Sequence, residues 1–121
     1  MIDHVAFYVS DLERSRRFFE QALAPLGYGL AFEMEEMVAF GPGGRPRFAI
    51  RTGGDVDRAA HVAFEAEDHA TVDAFYAAAM AAGGGDNGAP GIREHYHPTY
   101  YAGFVHDPDG NNAEAVCWQP G

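Results

Sequence analysis

The sequence predicts an α+β domain built from two strand–helix–three-strand halves. Three observations carry that expectation. His4-Val5-Ala6-Phe7 returns verbatim as His61-Val62-Ala63-Phe64, 57 residues later. The register then holds: Asp11 matches Asp68, Phe18 matches Phe75, Phe19 matches Tyr76, Ala22 matches Ala79 and Leu23 matches Met80. Each copy is followed by one stretch of helical periodicity and three short strand-like runs.

Residues 2–9 are apolar nearly throughout and rich in strand formers. Ser10-Asp11 opens a helix, with Glu13 placed to complete a capping box with Ser10. Leu12, Phe19, Leu23 and Leu26 recur on one helical face, and Gly27 supplies the stop. Residues 28–34, 37–40 and 48–51 read as strands, the last two separated by the turn Gly41-Pro42-Gly43-Gly44. A polar linker over 52–58 joins the halves. The second half repeats the plan, with a strand from His61 and a helix from Asp68. The inward face of that helix is Val72, Phe75, Tyr76, Ala79 and Met80, and the run Gly83-Gly84-Gly85 ends it. Strands follow at 91–95, 101–106 and 113–118, with Asp107-Pro108-Asp109-Gly110-Asn111 as the last turn. Modules of about 1–52 and 58–121 are each too small for an independent core, so one domain spanning 1–121 is expected.

Composition excludes several chemistries. The 121 residues include 18 Asp and Glu against eight basic residues, all of them Arg. Without Lys there is no Schiff base and no lysine to reach the outer phosphates of a nucleotide. A net charge of −10 repels the phosphate backbone, so no nucleic-acid partner is expected. The lone Cys117 forms no internal disulfide and reads as a small packed hydrophobe, in keeping with a reducing compartment. No basic leader stands at the N-terminus, and no apolar run approaches the roughly 18–20 residues of a membrane span. A cytoplasmic location without a membrane partner is the expectation.

The repeat places His4 and His61 early in equivalent strands, with the small Ala6 and Ala63 two residues on. Glu114 lies within an apolar strand, where a carboxylate is costly to bury unless paired or metal-bound. Two imidazoles and one carboxylate form a facial set that leaves positions open on a divalent metal. Beside this stand blander readings: hydrogen-bonded structural histidines, and a Glu114 facing solvent. The turn glycines Gly44 and Gly110 lie 66 residues apart against 57 at the strand starts, so the second half carries nine extra residues. They fall within 83–100, which runs into His95, Tyr96, His97, Tyr100 and Tyr101. His95, His97, Tyr100 and Tyr101 are candidates for acid–base work and for holding a substrate oxyanion, the alternative being a rim loop whose tyrosines pack. Arg47, Arg51 and Arg93 are candidates for an anionic substrate, with a solvated or ion-paired role as the alternative. His69 and His106 read as surface residues.

In combination, Asp3-His4-Val5, Ser10-Asp11-Leu12-Glu13-Arg14-Ser15 with Phe18-Phe19, His61-Val62-Ala63-Phe64, and Asp107-Pro108-Asp109-Gly110-Asn111 leading to Glu114 resemble the vicinal oxygen chelate superfamily. That superfamily includes glyoxalase I, bleomycin-resistance proteins and extradiol dioxygenases, and the resemblance covers essentially the whole chain. It implies paired βαβββ modules, a mixed sheet curved around a cleft, and a homodimer. It places His4, His61 and Glu114 at metal-ligand positions for Fe, Mn, Ni or Zn. The implied activity is that of a dioxygenase or a lyase/isomerase on a small metabolite with vicinal oxygens. The alternative is a non-catalytic protein of the bleomycin-resistance type, sequestering a cationic drug in an acidic cleft. Glyoxalase-type members draw a fourth ligand from the last strand of the first module. Aligning Gly44 with Gly110 puts Phe48 there, so the three-ligand extradiol arrangement is the nearer match. Modules of such proteins pair within one chain or swap between two, and the sequence permits both.

Overall fold

The computed structural model describes all 121 residues. The first half comprises β1 (Val5–Tyr8), α1 (Leu12–Leu23), β2 (Gly29–Glu33), β3 (Met37–Gly41) and β4 (Phe48–Arg51). The second comprises β5 (His61–Glu65), α2 (His69–Ala81), β6 (Gly85–Asp86), β7 (Gly91–Ile92), β8 (Tyr101–His106) and β9 (Asn112–Cys117). The N-terminal sheet has strand order β1-β4-β3-β2; the C-terminal one runs β5-β9-β8-β6, with β7 also on β8. In both, the first strand lies parallel to the last. The sequence repeat is therefore a structural repeat.

Side chains of both halves form one hydrophobic core of 19 buried residues. Helices α1 and α2 pack together within it, and Phe48 meets Phe64 edge-on at 5.4 Å across the two halves. Strand alternation sends Phe7, Val38, Phe48 and Ile50 inward from the N-terminal sheet, and Phe64, Val105, Ala113 and Ala115 from the C-terminal one. The residues between them form the opposite faces of the sheets, turned away from this core. Those outer faces carry Ala6 and Ala49 in the first half and His61 and Glu114 in the second.

Three local expectations differ from the structure. The α1 N-cap is Asp11, whose Oδ1 accepts from the Arg14 N–H at 3.1 Å. Ser10 instead gives its hydroxyl and its N–H to Asp109, 99 residues away, so no capping box with Glu13 forms. Phe18 is as buried as Phe19, because α1 packs against α2 as well as against its own sheet. The strand expected at 91–95 stops at Ile92; beyond it, turn hydrogen bonds from Tyr96 to Arg93 and from Tyr100 to His97 coil the chain. The two-residue β6, unexpected from sequence, pairs with β8 alongside β7. The Asp107–Asn111 turn forms as expected: Asp107 Oδ1 accepts from the N–H groups of Asp109 and Asn111 at 2.9 and 2.8 Å. Asn111 reaches the linker, donating to the Asp57 carbonyl and accepting from Ala60 N–H. No helix is long and apolar enough to cross a membrane.

Candidate functional site

Along β9, Ala113, Ala115 and Cys117 enter the core, so Asn112, Glu114 and Val116 take the outer face. Glu114 is nevertheless only 1% exposed. Its Oε1 lies 2.7 Å from His61 Nε2, and its Oε2 accepts from the Tyr100 hydroxyl. Both contacts follow from register. His61 stands directly across from Asn112, two positions before the Ala63–Glu114 pair and so on the same face. Tyr100 immediately precedes β8 and packs edge-on against Trp118 at 4.9 Å. Burial first, and the bond to Glu114 second, push the Tyr100 phenol well above its ordinary pKa, so it remains a protonated donor at neutral pH. Asn112 contributes a buried side-chain oxygen with no hydrogen-bond partner beside this cluster.

The remaining aromatic candidates separate. His97 accepts at Nδ1 from Thr99 N–H, 3.1 Å away, and its ring meets Trp118 at 5.4 Å, which puts it beside Tyr100 but not on Glu114. His95 is exposed and lies against Tyr96. Tyr101 points to the other side of its sheet. Its hydroxyl donates to Asp73 of α2 at 2.6 Å, which together with burial raises its pKa to about 12, and its ring stacks on His69 at 3.8 Å. The structure thus brings Tyr100 to Glu114 and directs Tyr101 away.

His4 lies just before β1, exposed, with Nδ1 2.9 Å from Asp3 Oδ1. Asp3 Oδ2 also accepts from Arg45 at 3.2 Å, and hydrogen bonds to His4 and then Arg45 hold its carboxyl below the usual range. Engaging Nδ1 orients the imidazole and leaves Nε2 for a ligand. His4 lines a cavity of about 310 Å³ on the outer face of the N-terminal sheet, and neither His61 nor Glu114 lines it. Within one chain no three His, Cys, Asp or Glu side chains converge as a metal-ligand group. His61 and Glu114 meet; His4 stands apart.

Strand register also corrects the residue opposite Glu114. Ala6 pairs with Ala49 in the first half as Ala63 pairs with Glu114 in the second. The structural counterpart of Glu114 is therefore Ala49, and Phe48 corresponds to the core residue Ala113. The segment from Gly44 into β4 is one residue longer than its counterpart from Gly110 into β9, which a turn-based alignment absorbs in the wrong place. Alanine ligates a metal no better than phenylalanine, so the missing fourth ligand stands. Asn112 and Trp118 carry no sequence signal of their own, and Asp3 is marked only by its place beside His4.

This repeated architecture, with an acid and an imidazole on equivalent outer faces, has clear relatives. The chain belongs to the glyoxalase/bleomycin resistance protein/dioxygenase superfamily, whose family model matches residues 1–115. It is similar to a glyoxalase/bleomycin resistance protein from Albidiferax ferrireducens T118, with 30% identity, TM-score 0.84, and 95% of this chain and 97% of that one covered. A glyoxalase-related enzyme from Fulvimarina pelagi shares the fold at 22% identity and TM-score 0.73, over 97% of this chain and 87% of its own. A lactoylglutathione lyase from Agrobacterium tumefaciens shares it at 20% identity and TM-score 0.73, over 97% and 92%. No curated protein matches the chain.

Proposed function

We propose that the protein is a divalent-metal-dependent enzyme acting on a small metabolite with adjacent oxygens. Its centre is shared between two copies of the chain: His61 and Glu114 come from one, and His4 from the other. The observation that carries this reading is Glu114, a carboxylate buried to 1% exposure on the outer face of a sheet and bracketed by an imidazole and a phenol. The donor set of imidazole nitrogen and carboxylate oxygen suits Fe, Mn, Ni or Zn. The unpartnered Asn112 oxygen beside His61, and an Asp3 that orients His4, fit the same purpose. A metal bound there supplies Lewis-acid polarisation of a chelated oxygen pair. Tyr100 fixes the Glu114 carboxylate by donating its single phenol proton to Oε2, and it keeps that proton at neutral pH. A metal on His61 Nε2 would replace the hydrogen bond that this nitrogen makes with Glu114 Oε1.

One observation favours a non-catalytic binding protein instead: His61 and Tyr100 already satisfy both oxygens of Glu114 without a cation. Elemental analysis separates the two readings. Untagged protein equilibrated with Fe, Mn, Ni or Zn and desalted retains about one ion per chain under the metal reading, while H61A and E114A retain none. Wild-type protein that emerges free of metal overturns it in favour of sequestration.

A further inference from the structure

The outer face of the N-terminal sheet is organised in rows. Ala6 pairs with Ala49, Ala49 with Ala39, and Ala39 with Phe32, so one row crosses all four strands as three methyl groups ending in an aromatic ring. Two residues further along the strands, the next row on this face is Tyr8, Arg51 and Met37. Two residues the other way lies His4. This is the floor of the cavity of about 310 Å³, with Phe32 and Met37 as apolar walls and Arg51 at one end. At roughly 3.3 Å per residue, the His4 and Arg51 levels stand about 13 Å apart.

Arg51 is unlike the other seven arginines. Arg14, Arg16, Arg17, Arg45 and Arg58 pair with carboxylates. Arg47 and Arg93 donate to backbone carbonyls. Arg51 makes neither kind of bond; its guanidinium lies over the Tyr8 ring, 5.3 Å from the centroid. Glu35 and Glu36 line the adjoining depression with it, yet neither comes within ion-pair distance. In a chain of net charge −10, a guanidinium without an anion at the end of an apolar trough has all its donors available.

We infer that this trough binds a small carboxylate ligand with a flat apolar body. The carboxylate sits on Arg51, the body lies over Ala6, Ala49 and Ala39 against Phe32, and the far end points to His4. The inference rests on the shared-centre reading only for the reacting end; recognition of the anion by Arg51 needs no metal. A planar guanidinium and a carboxylate match in shape as well as charge, whereas an isosteric amide offers no charge.

The test uses metal-stripped protein and two probes, 3-phenylpropanoate and 3-phenylpropanamide, titrated calorimetrically. Wild-type protein binds the acid about tenfold more tightly than the amide, as a charge-assisted hydrogen bond requires. R51Q binds both alike, and A6F, which fills the trough and keeps Arg51, weakens both. Equal affinity for the two probes in wild-type protein, or an acid preference that survives R51Q, overturns the inference. Metal content measured on the same samples keeps the questions apart: R51Q retains the wild-type metal stoichiometry if the centre exists, and acid preference without metal uptake removes the centre alone.

Discussion

Asp3 and His4 are neighbours in sequence, and their contact is the smallest device in the site. The 2.9 Å approach of Asp3 Oδ1 to His4 Nδ1 assigns the proton to that nitrogen, and this hydrogen bond first, with Arg45 on the other oxygen second, holds the Asp3 carboxyl below its usual range. A carboxylate behind a histidine raises its basicity and restricts its rotation, and such partners typically govern metal affinity by 10–100-fold. Asp3→Asn keeps the size and removes the charge. Metal affinity, read by competition with a chromophoric chelator, is expected to fall roughly tenfold in D3N, with the fold and the far-UV spectrum unchanged. Affinity identical to wild type would show that Asp3 pairs with His4 only as a surface ion pair.

At the scale of elements, the turn before β9 clamps the two halves together. Asp109 is 5% exposed, and it accepts from the Ser10 N–H at 3.1 Å and from the Ser10 hydroxyl, with Arg14 at 3.4 Å and Arg58 at 3.7 Å. It thereby ties the start of α1 to the entry of the strand that carries Glu114. Hydrogen bonds to a buried charge contribute about 1.5–3 kcal/mol each, so D109A is expected to lose about 3 kcal/mol in urea denaturation and S10A, which loses only the hydroxyl bond, about 1.5 kcal/mol. Wild-type midpoints for both variants would remove the clamp. This contact also marks where local reading ends. Ser10 and Glu13 satisfy the pattern of a capping box, and nothing nearby reveals that Ser10 serves a carboxylate 99 residues on. Periodicity located the strands and helices, because burial repeats along the chain. Aligning the turn glycines Gly44 and Gly110 misses the counterpart of Glu114 by one residue, because five residues separate Gly44 from Ala49 and four separate Gly110 from Glu114.

At the scale of the molecule, duplication made the candidate ligands legible: His4 and His61 share a word, and only strand equivalence connects them to Glu114. Repetition does not say whether equivalent faces meet within one chain. In this chain α1, α2 and the common core hold the halves together, and the His4 cavity excludes His61 and Glu114. Under the shared-centre proposal a second copy closes the ligand set, and a two-fold pair would close two identical sites at once. That geometry has a consequence a site within one chain lacks. In a heterodimer of H4A with E114A, isolated through two different affinity tags, one interface carries both defects and the other carries neither. A shared centre restores half of the wild-type metal content, while each parent homodimer binds none. If each chain built its own site, both sites of the heterodimer would be broken and no metal would return, so an empty heterodimer beside a loaded wild type excludes the shared arrangement.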